Sequence, residues 1–156
     1  MGIIADFFVA TPEEAMRYPL SDELEDDDWD EGDDEPEPWV DPRESLERLQ
    51  LKSITGLDMG LLWADLVDVP WDVHKHMLDT VAHDGEWGID VFPAEFVELL
   101  VSVPAARTDP ALARWGEREE MARWDKDDIR QFFGQLQALA RSAKAQGKGV
   151  YLYNVA

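Results

Sequence analysis

The stretch DKDDIRQFFGQLQALARSAKAQGKGVYLYNV, residues 125–155, carries one long helix and one strand in a single unbroken run. Asp125 is a side chain suited to an N-cap, Asp127 and Asp128 fall in the first turn, and Ile129, Phe132, Phe133, Leu136, Leu139 and Ala140 recur at helical spacing as a buried face. Arg141, Lys144 and Lys148 sit at the far end with Gly147 as C-cap, an arrangement that complements the helix dipole. Val150-Tyr151-Leu152-Tyr153-Asn154-Val155 then alternates with the period of a strand. A lone strand needs a partner. The clearest one lies at the other end of the chain, where Ile3, Ile4, Phe7, Phe8 and Val9 form a short β-prone run with Asp6 as its only charge. The economical arrangement pairs the two terminal strands under a cluster of helices, giving an α+β class dominated by helix, one domain over residues 1–156.

Between these ends the sequence reads mostly as helix. Thr11-Pro12-Glu13-Glu14 is a capping box that starts a helix of about two turns ended by Pro19. Asp41-Pro42-Arg43-Glu44 repeats the start signal, and Leu46, Leu49 and Leu51 supply an apolar face for a second helix. Ile54 to Val67 is the most apolar candidate, with Leu57, Leu61, Leu62 and Leu66 at helical spacing, and reads as the central core helix. A short helix is expected around Trp71 to Leu78, with Gly85-Glu86-Trp87-Gly88 as a loop after it. Pro93-Ala94-Glu95 opens a helix striped by Phe96, Leu99, Leu100 and Val103 and closed by Pro104, and Asp109-Pro110 starts another through Leu112, Trp115 and Met121.

Charge sets the functional expectation. The chain carries a net charge of −21, and residues 22–41 hold thirteen acidic side chains without one Lys or Arg. Such a chain does not suit nucleic acid, because phosphate binding depends on cations that displace counterions. A basic protein is the partner it favours. Trp29 and Trp39 stand inside the acidic loop at 21–41, and aromatics bring apolar area that seeks burial. Asp26, Asp27, Asp28, Trp29, Asp30, Glu31, Asp33, Asp34 and Trp39 are therefore the expected partner-binding residues, with the tryptophans as anchors. The bland alternative is a solvated loop, or one that lies against Arg107, Arg114, Arg118, Arg123, Arg130, Arg141 or Lys144, since residues 107–156 have a net charge of +2.

Motifs for chemistry are sparse. Asp26, Asp28 and Asp30 have the alternation of a calcium loop and Glu37 falls at its twelfth position, but Glu31 occupies the place that needs glycine and Pro36 interrupts the run. His74, His76 and His83 stand among Asp72, Asp79 and Asp84, yet side chains two apart on a helix diverge by about 200°, so His74 and His76 cannot share one ion unless the helix is interrupted. Trp71 and Trp87 flank that region and could wall a shallow pocket around it, the place where a small-molecule or metal-dependent enzyme would have its site. The five serines lie in the acidic loop or in helices, and no nucleophile elbow, zinc-protease or phosphate-loop motif occurs. No catalytic residue, metal site or cofactor is assigned. Without Cys there is no disulfide framework, and no apolar run approaches the roughly 20 residues that span a bilayer, so a cytoplasmic protein without membrane contact is expected.

Met1-Gly2-Ile3-Ile4, the central Leu57-Asp58-Met59-Gly60-Leu61-Leu62-Trp63-Ala64-Asp65-Leu66, and Leu136 to Val155 together resemble the bacterial YfbM-like family of unknown function, over about a third of the chain. The resemblance implies a small bacterial α+β domain and transfers no catalytic residues. The acidic insertion and the absence of a His after the Trp63 helix depart from the family pattern. The function expected from all of this is a non-enzymatic acidic binding protein, most concretely an immunity or inhibitor protein for a basic toxin. The alternatives are an enzyme with a pocket near His74, His76 and His83, or a structural domain whose acidic loop serves solubility.

Overall fold

A computed structural model describes residues 3–19 and 46–155. The two terminal strands are β1 (Ile4–Ala10) and β5 (Gly149–Val155), and they pair antiparallel with Phe7 opposite Leu152. They form the centre of a five-stranded sheet in the order β2-β1-β5-β4-β3, every neighbouring pair antiparallel. The other strands are β2 (Arg48–Lys52), β3 (Asp79–Asp84) and β4 (Trp87–Val91). Five helices complete the described residues: α1 (Pro12–Arg17), α2 (Gly56–Leu66), α3 (Ala94–Ser102), α4 (Ala105–Glu117) and α5 (Lys126–Gln146). The class is α+β with its terminal strands paired, as the sequence indicates, but the sheet has five strands rather than two.

Alternation along β1 and β5 sends side chains to two different layers. Ala5, Phe7, Val9, Val150 and Leu152 face α2 to α5 and join Phe96, Trp115, Phe132 and Leu136 in the main core. The register of α5 follows its sequence: Ile129, Phe132, Phe133, Leu136, Leu139, Ala140 and Ala143 are buried, Asp125 Oδ1 accepts the Asp128 N–H at 2.8 Å, and Gly147 closes the helix at a φ of 67° that suits glycine. On the opposite face Phe8, Tyr151, Tyr153 and Ile89 pack with Ala15 and Tyr18, the Phe8 ring lying 4.1 Å from that of Tyr18. This second layer is thinner and largely aromatic.

Four expectations are corrected. Leu46, Leu49 and Leu51 do not form a helical face: Arg48–Lys52 is a strand, because Leu49 and Leu51 lie two apart with polar residues between them and pair with Phe7 and Ala5 of β1. Residues 41–45, the expected start of that helix, lie outside the described residues. The segment from Trp71 to Leu78 is a set of turns, and the expected loop at 85–88 is the tip and second arm of a β3–β4 hairpin. Its arm Trp87-Gly88-Ile89-Asp90-Val91 alternates Trp, Ile and Val to the aromatic layer, a strand period that the two glycines obscure. Finally, α4 starts at Ala105 rather than at Asp109, takes Pro110 into its interior, and ends before Met121, which sits in a short 3₁₀ turn.

Helix α2 is the hub. Every residue from Asp58 to Leu66 is buried, so two of its acids must be neutralised locally. Asp58 accepts from the Thr55 N–H at 2.9 Å, and burial pushes its carboxyl above the ordinary aspartate range. Asp65 receives both Nε and Nη2 of Arg118 at 2.9 Å, a bidentate bridge that ties α2 to the end of α4. Trp115 Nε1 donates to the Asp58 carbonyl at 3.0 Å across the same contact.

Candidate interaction surface

Beyond α2 the chain reverses through Asp68, which adopts a φ of 57°, a left-handed conformation that Asp tolerates better than most residues. The loop that follows is fastened by its own polar groups. Trp71 Nε1 donates to the His76 carbonyl at 3.1 Å, the Asp72 N–H donates to His76 Nδ1 at 3.0 Å, and Asp72 Oδ1 accepts from the His74 N–H at 2.8 Å. The His76 ring is buried edge-on against Trp63, with centroids 5.5 Å apart. The whole turn lies so close to α2 that a Cβ at Gly60 would collide with the His76 carbonyl oxygen. This is a held loop with a defined shape.

What it presents outward is apolar. Val69, Val73, Met77 and Val81 are 44%, 51%, 39% and 43% exposed, four of the seven large apolar side chains exposed among the described residues. Val69 and Val73 edge a shallow cleft of about 780 Å³ whose other walls include Pro70, Trp71 and His76. Val81 lies at the bulge of β3, and β3 is the last strand on its side of the sheet. Of the four, Val69 and Val73 share one cleft, and exposed apolar side chains that lie together mark contact surfaces more often than scattered single ones do.

The same region is strongly acidic. From Asp65 to Glu98 the chain has nine acidic residues against Lys75 alone. Asp65 is taken by Arg118, Asp68 lies 3.5 Å from Arg114, and Glu98 lies 2.9 Å from Lys144. Asp72, Asp79, Asp84, Glu86, Asp90 and Glu95 have no ion pair among the described residues. Burial first, and then the charge of Asp79, raises the Asp90 carboxyl above its ordinary value, while the Thr80 hydroxyl, donating at 2.8 Å, pulls it back. The 67–86 segment thus carries exposed apolar side chains and carboxylates that have no ion pair among the described residues.

The histidines separate. His76 is buried with Nδ1 occupied, whereas His74 and His83 are exposed, and no group of three metal-ligating side chains forms among the described residues. Trp71 shares the cleft with His76, but Trp87 packs on the aromatic face of the sheet beside Tyr153. The expected partner-binding residues Asp26, Asp27, Asp28, Trp29, Asp30, Glu31, Asp33, Asp34 and Trp39, and the calcium-like spacing with them, lie outside the described residues. Of the cations set against that acidic loop, Arg114 and Arg118 are committed to Asp65 and Lys144 to Glu98. One acid lies deep in the aromatic layer: Asp6 is 2% exposed, its Oδ2 accepts the Tyr18 hydroxyl at 2.6 Å, and its Oδ1 makes no hydrogen bond among the described residues. Burial and then Asp6 raise the Tyr18 hydroxyl well above the tyrosine range, so the phenol keeps its proton and holds α1 to the sheet.

The exposed apolar loop is absent from the sequence expectations, because Val69, Val73, Met77 and Val81 recur every four residues, as one face of a helix would. Pro70 and the Asp72-x-His74 turn chemistry are the signals against a helix there. No helix among the described residues is long and apolar enough to cross a membrane. Searches for related proteins found no family model, no curated protein and no solved structure that matches this chain.

Proposed function

We propose that this chain is a non-enzymatic acidic protein that captures a basic protein, as a bacterial immunity or inhibitor protein captures a basic toxin. The observation that carries the reading is the pairing of exposed Val69, Val73, Met77 and Val81 with Asp72, Asp79, Asp84 and Glu86, which no cation among the described residues neutralises. Apolar side chains at the middle of an interface supply affinity, and a surrounding field of one sign speeds encounter and rejects partners of the same sign. The acidic loop at 21–41 adds charge of the same sign, with Trp29 and Trp39 as further anchors. Kinship with the YfbM-like family belongs to the same proposal and adds no catalytic residue to it.

The test is affinity capture from the native host at low salt. Wild type is compared with Val73→Ala/Met77→Ala, with Asp79→Lys/Glu86→Lys and with Trp29→Ala/Trp39→Ala. A basic protein that wild type retains and the first two variants lose, and whose association with the purified chain slows steeply as salt rises, supports the reading. If nothing basic is retained, or if every variant retains it as wild type does, the reading fails.

A further inference from the structure

Strand β2 ends the sheet on the side opposite β3, and its outer edge carries a different chemistry. Glu47 O accepts from the Val9 N–H at 3.0 Å and the Ser53 N–H donates to Ile3 O at 2.6 Å, so in this antiparallel ladder residues 47, 49, 51 and 53 turn their backbone groups toward β1. Gln50 and Lys52 turn theirs outward. No hydrogen bond among the described residues uses the outward N–H and C=O groups of Gln50 and Lys52. Unpaired edge groups are a template for an added strand.

Beside this edge runs a cleft of about 460 Å³ between β2 and the first turns of α5. Leu49, Leu51, Phe132 and Trp124 give it an apolar lining, while Lys52 and Arg123 stand at it without an ion pair among the described residues. Asp128 is the one carboxylate among its lining residues. In a chain with a net charge of −21 this is an unusual place, since strand edge, apolar groove and cations coincide.

We infer that the β2 edge and its cleft bind an extended peptide segment with alternating acidic and apolar side chains, which adds as a sixth strand. Gln50 and Lys52 would supply backbone hydrogen bonds, the Leu49, Leu51 and Trp124 lining would take the apolar side chains, and Lys52, which alternates to the other face of β2, would meet the carboxylates, with Arg123 at the cleft adding positive field. A second copy of this chain fits the edge poorly. An antiparallel β2–β2 pair centred on Gln50 sets Lys52 opposite Arg48 at both ends, like charges directly across a ladder, between two bodies that repel. This site is independent of the acidic surface around β3 and selects the opposite charge.

The experiment uses the full chain, ¹⁵N-labelled, with two synthetic peptides of about ten residues, one alternating Glu and Val and the other Lys and Val. The Glu-Val peptide should bind and slow amide exchange at Gln50 and Lys52 by at least about tenfold, while the Leu49 and Leu51 amides, already bonded to β1, change little. Lys52→Glu/Arg123→Glu should weaken that binding by at least about tenfold. Gln50→Pro removes an outward donor without touching the β1 ladder and should abolish the protection. If circular dichroism shows that this variant does not fold, the charge-reversal variant and the exchange pattern decide. Equal binding of both peptides, or no protection at Gln50 and Lys52, overturns the inference. A dimer in sedimentation without peptide that Gln50→Pro dissociates also overturns it, by assigning the edge to a second copy.

Discussion

Asp65 and Asp79 lie fourteen residues apart and meet opposite treatment. Asp65 is buried on α2 and receives a bidentate guanidinium, with Arg114 Nη2 donating to its carbonyl at 2.6 Å. Asp79 stands exposed on β3 beside other acids, with no cation paired to it among the described residues. The difference separates two uses of the same side chain. A carboxylate taken out of water must be matched where it sits, because an unmatched buried charge costs more than folding can spare. Carboxylates left in water cost the fold little, so their accumulation beside exposed valines is free to serve contact with something outside the chain. The α2–α4 contact is matched charge for charge, whereas the carboxylates of the 67–86 surface are left to water; the proposed function assigns that surface to encounter.

The largest effect expected from breaking this contrast is on the α2–α4 side. Arg118→Ala leaves buried Asp65 with only the Arg114 guanidinium, 4.0 Å away, and should cost about 2–3 kcal/mol in urea unfolding; a loss below about 1 kcal/mol would put the pair in the class of exposed bridges and collapse the comparison. Gly60→Ala comes next. Its methyl group meets the His76 carbonyl and lies 3.2 Å from Trp71 Nε1, so despite the better helix propensity of Ala it should destabilise by about 1–2 kcal/mol. The same variant should disturb the Trp71 indole and His76 ring resonances, which an undisturbed loop would leave in place. On the surface side, Asp79→Lys/Glu86→Lys should shift stability by no more than about 0.5 kcal/mol, and it sharpens the contrast if capture of a basic partner falls at least tenfold. A change in stability as large as that of Arg118→Ala would show that these acids are structural after all.

The smallest effect sits between the two regions, at half-buried Asp90. Its carboxyl titrates higher in the folded chain than in the unfolded one, so the folded state binds the extra proton, and stability falls as pH rises through the window between the two values. Asp90→Asn can still accept from the Thr80 hydroxyl but carries no charge to bury. It should therefore be more stable than wild type at pH 7, by less than about 1 kcal/mol, and indistinguishable from it near pH 3, where the aspartate of both states is protonated. Paired urea midpoints at the two pH values check the sign. An advantage for wild type at pH 7 would mean that the carboxylate is held by something stronger than Thr80.

Parts of this architecture were legible in single residues. Thr11 and Glu14 cap each other at 2.9 and 3.2 Å as the Thr-Pro-Glu-Glu pattern indicates, Asp125 and Gly147 mark the ends of α5, and Pro104 separates α3 from α4. The candidate surface was far less legible. Exposure of Val73 and Met77 depends on the Trp71–His76 hydrogen bond and on Gly60 admitting the turn, and neither contact leaves a periodic trace. The residues expected to bind a partner, from Asp26 to Trp39, rest on charge and composition alone.

By itself the sequence determined the pairing candidates β1 and β5, the long α5 with its buried face, the apolar α2, and the acidic net charge. These follow from capping, periodicity and net charge, which act within a turn or two or over the whole chain at once. Only the tertiary structure decided that Arg48–Lys52 and Asp79–Val91 are strands, that Asp65 is matched while Asp79 is not, and that the two edges of the sheet differ in charge. An edge strand with charged residues has little preference of its own and becomes a strand when a distant backbone offers the ladder. The match at Asp65 depends on an arginine fifty-three residues away. Nothing local encodes either one.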